Sequence, residues 1–288
     1  KGESYDYNPD NWELKDYVYM DNVYCAIYQE ELSGYMAGYA AVKLGYTKLG
    51  FLGGMAVPAV MRFGYGYVQG VDAAAKELGI TVDMKYAYGN QFFGDADITA
   101  VMDTWYAGGT EIVFACGGGI YTSAAEAAKK VGGKVIGVDV DQKAIIDGAY
   151  GEGMTITSAM KGLAPTTIDT LTDIVINGNW ANYAGKIQTL GLVSAEPEAN
   201  YVQIPMNTTL FEDGKFTVED YKAMVAKYGD FLYIEFFKRY GITKMQELMA
   251  EMVGKYTLQY DLESIVLTLP TSVVPAEEAP ADEPKSEE

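Results

Sequence analysis

Two aspartates, a lysine and a run of glycines carry the chemistry that this chain offers. Asp139 and Asp141 lie in Val135-Ile136-Gly137-Val138-Asp139-Val140-Asp141-Gln142, and Lys161 ends Thr157-Ser158-Ala159-Met160-Lys161. Asp139 follows an apolar run at the C-terminal end of a predicted strand, where open α/β sheets bind ligands. A carboxylate there can accept both hydrogens of a cis-diol, a bidentate geometry suited to the 2′- and 3′-hydroxyls of a ribose. Each such charge-assisted hydrogen bond contributes roughly 1.5–3 kcal/mol when water is excluded. The competing reading of Asp139 is a helix N-cap, and Asp141 competes for that role. The glycines Gly117, Gly118 and Gly119 let the backbone approach a ligand closely, with Ile120 or Tyr121 at a helix start facing the crevice. A phosphate-cradling loop is disfavoured, because GxxxxGK[ST] is absent and the turn offers no lysine. A tight turn without a ligand is the plainer alternative.

Other candidates are weaker. Arg62 and Phe63 fall in the first turns of a predicted helix; Phe63 fits its apolar stripe, and Arg62 either faces a cleft or pairs with an acid. Tyr28 and Gln29 follow a predicted strand. The 24 tyrosines are scattered over strand and helix faces, where an amphipathic ring simply packs. Trp12, Trp105 and Trp180 have no spacing that suggests a site and read as core or rim.

The elements that must position these groups are strand–turn–helix units. Phe51-Leu52-Gly53-Gly54 and Phe114-Ala115-Cys116-Gly117-Gly118-Gly119 each pass from a short apolar run through glycine into a helical pattern. Val60, Phe63, Tyr67, Val71, Ala74 and Leu78 recur at spacings of three and four, an amphipathic helix that Gly79 stops. Helices are also expected from Glu30 to Leu44, whose Gly34, Gly38 and Ala41 allow close packing on a sheet, and at roughly 95–107 and 121–131. Strands are expected at 23–28 (buried), 48–52, 82–88, 112–116 and 135–138. Residues 30–139 thus alternate helix and strand, and right-handed crossovers make them one doubly wound layer. Beyond Asp139 the pattern loosens. A strand at 154–159, helices at 163–176, 218–228 and 242–253, strands at 186–193, 201–204 and 264–269, and an unstructured Pro/Ala/Glu tail complete the expectation.

Composition excludes several function classes. Formal charge is −19, of which −5 lies in residues 275–288, and this argues against a nucleic-acid partner. There is no histidine, so Ser–His–Asp catalysis and histidine metal sites are ruled out together. Cys25 and Cys116 have no CxxC spacing and both sit in apolar runs, which predicts buried free thiols. No apolar stretch approaches the roughly 18–20 residues of a membrane span, and Lys1-Gly2-Glu3-Ser4-Tyr5 lacks a signal-peptide core.

Gly50-Phe51-Leu52-Gly53-Gly54-Met55, followed by Pro58, Arg62-Phe63, Gly66-Tyr67 and Gly70, resembles the signature of the basic membrane protein (PnrA-like) family. These are substrate-binding lipoproteins of ABC transporters, and characterised members bind purine nucleosides. The similarity continues through Gly117-Gly118-Gly119, Ile136 to Gln142 and Thr157 to Lys161, covering roughly residues 22–195. It implies an α/β fold of the periplasmic-binding-protein type I (ribose-binding-protein-like), with doubly wound parallel sheets in two lobes and ligand trapped between them. On that frame residues 1–29 are a remnant of the first lobe and a hinge crossing, placing Tyr28 and Gln29 at the hinge. Residues 30–155 are the second lobe, 156–269 bring returning first-lobe elements and C-terminal helices, and 270–288 are an acidic tail. The opening βαβ units of the first lobe, the secretion signal and the lipid-bearing cysteine have no counterpart, so the first lobe is expected to be incomplete at its N-terminus, the chain being either a fragment that lacks its beginning or one whose first lobe is built unusually. The resemblance places Lys161 in the cleft and strengthens Asp139 as a ligand contact. It implies a purine nucleoside or related sugar as ligand, ABC permease subunits as partners, and an extracytoplasmic lipoprotein that meets the membrane only through an anchor outside this sequence. It implies no cofactor and no metal. A nucleoside- or sugar-acting enzyme using Asp139 or Asp141 as base is the rival reading, and a ligand-sensing module is another.

Overall fold

The computed structural model describes residues 21–228 and the strand 265–269. Trp12, the N-terminal loop before residue 21, the helix expected at 242–253 and the acidic tail lie outside the described residues. In chain order the elements are β1 (Cys25–Tyr28), α1 (Glu30–Lys43), β2 (Lys48–Gly53), α2 (Pro58–Leu78), β3 (Val82–Tyr88), α3 (Ala96–Ala107), β4 (Ile112–Cys116) and α4 (Tyr121–Val131). There follow β5 (Lys134–Asp139), α5 (Lys143–Tyr150), β6 (Thr155–Lys161), α6 (Leu163–Leu171), β7 (Ile187–Leu190), β8 (Val202–Gln203), α7 (Val218–Tyr228) and β9 (Ile265–Leu269). The expected order from residue 30 to 139 is thus realised. Helix α5 was not expected, and the helix expected to run to residue 176 ends its α-helical part at Leu171 and continues as a π-helical turn, Thr172–Ile176.

Seven strands form one sheet in the order β8-β6-β5-β4-β2-β3-β9. Strands β2 to β6 are parallel, while β8 and β9 add to the edges antiparallel. The chain steps outward from β2 to β3 and then returns to the other side of β2 at β4. That reversal is a topological switch point, and it opens a crevice at the C-terminal strand ends. Alternate residues of each strand serve opposite faces. Phe51, Ile112, Phe114, Cys116 and Val138 join the core with α1, α2 and α7, whereas Leu52, Val113, Ala115 and Val135 join the core with α3, α4 and α5. Because both faces are covered, the central strands read as continuous apolar runs rather than alternating ones.

Helix α2 starts where Val57, extended by the proline that follows, gives way to Pro58 in the first turn, and it ends at Gly79 with a left-handed φ of 66°. The small-residue face of α1 meets α2 rather than a sheet, which corrects the expectation. A Cβ on Gly34 would lie 2.2 Å from the Phe63 carbonyl oxygen, and one on Gly66 would lie 1.8 Å from that of Glu31. The two helices therefore pack backbone against backbone.

A second, two-stranded parallel ladder pairs β1 with β7 from Cys25↔Ile187 to Tyr28↔Leu190. Strand β1 is alternately exposed and half-buried, not buried as expected. Cys25 is accordingly exposed and only Cys116 is buried, a correction to the expected pair of buried thiols. Pairing also carries the large sheet past residue 155, since β6, β8 and β9 all belong to it. Three connections run between ladder and sheet and are tied to one another. Gln29 N–H donates to the Leu190 carbonyl (2.9 Å), Tyr201 N–H to Gly191 (3.1 Å) and Gly162 N–H to Tyr201 (2.7 Å).

Candidate functional site

The crevice at the switch point is a cavity of about 260 Å3. Each parallel strand delivers a group to it: Val57 and Val60 behind β2, Phe92 behind β3, Cys116, Gly117 and Gly118 at the end of β4, Val138 and Asp139 ending β5, and Lys161 ending β6. The turns after β2 and β4 touch directly. Gly54 N–H donates to the Cys116 carbonyl (2.8 Å), and a Cβ on Gly117 would sit 2.8 Å from the Gly54 Cα. The floor between them is therefore bare backbone.

Asp139 and Lys161 meet here, with Nζ 2.9 Å from Oδ1. The Lys161 ammonium also lies 5.7 Å from the centre of the Phe63 ring, so Phe63 serves the core with one part of its surface and the cleft with another. Asp139 keeps 39% of its side-chain surface open, leaving acceptor capacity for a ligand. Its backbone is unusual. Asp139 has φ 67°, and Val140 N–H closes a three-residue turn on the Val138 carbonyl at 2.8 Å. Such sparsely populated conformations cost roughly 1–3 kcal/mol and gather at functional sites, and aspartate is among the non-glycine residues that best tolerate them. Burial, with the Asp139 charge adding to it, pushes the Cys116 thiol well above its ordinary range, so this cysteine is inert lining rather than a nucleophile.

Other expected site residues lie elsewhere. Ile120 is fully buried in the core with Leu52 and Ile98, and so does not face the crevice. Tyr121 packs half-buried against the same core. Gly118 has φ 56° and lines the cleft, but Gly119 N–H is spent on the Phe92 carbonyl at 2.9 Å. Asp141 lies one residue before Gln142, the N-cap of α5, and its carboxylate is spent locally: Oδ1 accepts from Lys143 N–H (3.1 Å) and Oδ2 from the Thr208 hydroxyl (2.7 Å). Tyr28 and Gln29 sit at the connection between ladder and sheet and do not line the cavity. Arg62 pairs with an acid, its Nε 2.6 Å from Glu30 Oε2 and 3.9 Å from Glu31 Oε2. Glu30 is buried, and burial raises Glu31, whose Oε2 has no hydrogen-bond partner, to about 7. Trp105 is core, as expected, and Trp180 donates to the Asp21 carbonyl at 3.0 Å.

Sequence reasoning missed Phe92 and Gln142. The signal for Phe92 was an aromatic pair, Phe92-Phe93, stranded in the polar turn after β3. Gln142 is buried behind the site and hydrogen-bonds to two of its parts, Val138 and Gly118, and to the buried Ser158 hydroxyl. Among the described residues no cluster of metal-ligating side chains exists and no helix is long and apolar enough to cross a membrane.

A parallel sheet whose strand ends converge on a small, partly apolar cleft with one ion pair defines an open α/β ligand-binding protein. The family described as ABC transporter substrate-binding protein PnrA-like matches residues 8–207, and the chain belongs to it. Its members are substrate-binding proteins of ABC transporters. Similar curated proteins include the ABC transporter nucleoside-binding protein BmpA of Lactococcus lactis subsp. cremoris, 35% identical over 46% of this chain and 40% of that protein. Basic membrane protein B of Borreliella burgdorferi is 30% identical over 62% of this chain and 52% of that protein. The chain therefore spans about half the length of the curated relatives it matches. Among solved structures, an ABC transporter solute-binding protein from Aeropyrum pernix K1 superposes with TM-score 0.53 at 19% identity, over 82% of this chain and 65% of that one. A transcriptional activator of the comK gene from Bacillus halodurans gives TM-score 0.50 at 15% identity, over 72% and 65%. The fold is that of periplasmic binding proteins of type I, and its sharing by a transcriptional activator shows that fold alone does not set function.

Proposed function

We propose that this chain is the solute-binding component of an ABC importer and that its ligand is a purine nucleoside or a similar ribose-bearing molecule. The observation that carries the reading is the Asp139–Lys161 pair at the strand ends, flanked by the Phe63 and Phe92 rings. A carboxylate with open acceptors suits a cis-diol, the ammonium can donate to a hydroxyl or base nitrogen, and the apolar walls suit a planar base. The nucleoside-binding relative in Lactococcus supports the same ligand class. On this reading no bond is made or broken. The protein works outside the cytoplasmic membrane, held by a lipid anchor, and hands its ligand to permease subunits.

Titration calorimetry of the full chain with inosine and 2′-deoxyinosine tests the reading. Loss of one charge-assisted hydrogen bond should weaken the deoxy compound by about tenfold or more, and Asp139→Ala should weaken inosine by at least about 2 kcal/mol. Inosine should be recovered intact afterwards. Equal affinity for both compounds, or an unchanged affinity in Asp139→Ala, rejects the assignment.

A further inference from the structure

We propose that Gln142 is a positioning residue for the ligand site, its side-chain amide bridging the splayed ends of β4 and β5 so that Asp139 is aimed into the cleft. Strands β4 and β5 pair only as far as Phe114↔Ile136, although β4 runs on to Cys116 and β5 to Asp139. Past that pair the sheet opens, and backbone groups on either side need other partners. The Gln142 amide supplies them. Its Oε1 accepts from Val138 N–H at 2.9 Å, and its Nε2 donates to the Gly118 carbonyl at 3.2 Å. A primary amide presents acceptor and donor in one plane, as a peptide unit does, and so replaces the missing rung.

The side chain is itself fixed. Gln142 is buried, and its backbone N–H donates to the oxygen of the buried Ser158 hydroxyl at 3.1 Å. Gly137 makes room for this arrangement: a Cβ there would lie 2.9 Å from the Gln142 Cβ and 2.6 Å from Ser158 Oγ. Val138, the residue before Asp139, is then held at both polar groups. Gln142 takes its N–H, and Val140 N–H takes its carbonyl. Asp139, at positive φ, is thereby fixed from its neighbours, while the Gly118 turn is tied to the same amide. Gln142 does not line the cavity, so its influence passes through Asp139 and Gly118.

The ligand readout rests on the nucleoside reading above, so the test has two arms. In the first, inosine affinity is measured for wild type, Gln142→Ala, Asp139→Ala and the double variant. Gln142→Ala should weaken binding about tenfold, and in the Asp139→Ala background it should add less than about twofold, since residues acting as one unit are non-additive. Additive losses overturn the proposal. In the second arm, without ligand, amide exchange at Val138 and Val140 should quicken at least about tenfold in Gln142→Ala. Gln142→Glu, which keeps the acceptor and loses the donor, should restore protection at Val138 without restoring full affinity. Should wild type bind no purine nucleoside, the functional reading falls and the second arm alone decides. Unchanged exchange at Val138 and Val140 then overturns the positioning role.

Discussion

Strands β1 and β4 read alike, each a short apolar run carrying a cysteine, yet they have different fates. In β4 every residue is buried, Cys116 included, whereas β1 leaves Cys25 exposed and Ile27 at 37% exposure. The difference lies in their surroundings. Strand β4 has strands on both edges and helices on both faces, while β1 pairs with β7 in a ladder of two strands. Burial is thus a property of the layer a strand joins, and the run of side chains only permits it.

The largest effect expected from this contrast is on stability. Phe114→Ala removes a fully buried ring that meets Phe51, Phe63 and Tyr67 within ring-centre distances of 5.2–6.0 Å. It should cost about 3–5 kcal/mol. Ile27→Ala removes a side chain that is already 37% exposed and should cost under about 1.5 kcal/mol. Urea unfolding of both variants checks the ordering, and comparable losses would mean that the ladder is as firmly packed as the sheet.

The same contrast explains how far the sequence could be read. Strands β2 to β5 and helices α1 to α4 were legible because periodicity, glycine stops and Pro58 all agree within each of them. Asp139 was singled out because strand-end position is a sequence property in a parallel sheet, and Lys161 because the family resemblance places it in the cleft; the structure sets the two 2.9 Å apart. Ile120 was misread because a residue at a helix start can turn to either side, and here the turn is set by packing against Ile98 and Leu52. Gln142 was invisible as a functional residue, since its role depends on a gap between two strands that no local pattern encodes. Arg62 pairs with Glu30, 32 positions away, and the contact arises from the glycine-mediated approach of α1 to α2.

That α1–α2 contact should show itself in pH dependence. Burial raises the Glu31 carboxyl from 4.5 to about 7, with Arg62 opposing and Glu30 adding to the rise. The folded chain therefore holds a proton that the unfolded chain has already released. Stability from this group is fully present below about 4.5 and is lost as pH rises through about 7. One pKa unit corresponds to about 1.4 kcal/mol, and because the side chain retains 26% exposure the loss should stay below about 3 kcal/mol. Glu31→Gln should flatten the stability profile between about pH 4.5 and about pH 7, the span of the linkage. A slope identical to that of wild type would place the titration elsewhere.

The smallest stability effect is expected at the candidate site itself, where opposing terms nearly cancel. Asp139→Gly relieves the positive φ of 67° but loses a partly exposed ion pair with Lys161, a contact of about 0–1 kcal/mol, and it adds freedom to the unfolded chain worth about 0.4–1 kcal/mol. The net change should fall within about 1 kcal/mol of zero. Asp139→Val loses the same carboxylate but forces a β-branched residue into the left-handed region, so it should be less stable than Asp139→Gly by about 1–3 kcal/mol. Both variants should lose inosine affinity alike. Thermal unfolding and calorimetry on the pair separate what the backbone at Asp139 costs from what its carboxylate contributes. Equal stability of the glycine and valine variants would show that the turn around Asp139 relaxes freely, and that Gln142 and the neighbouring strands do not hold it.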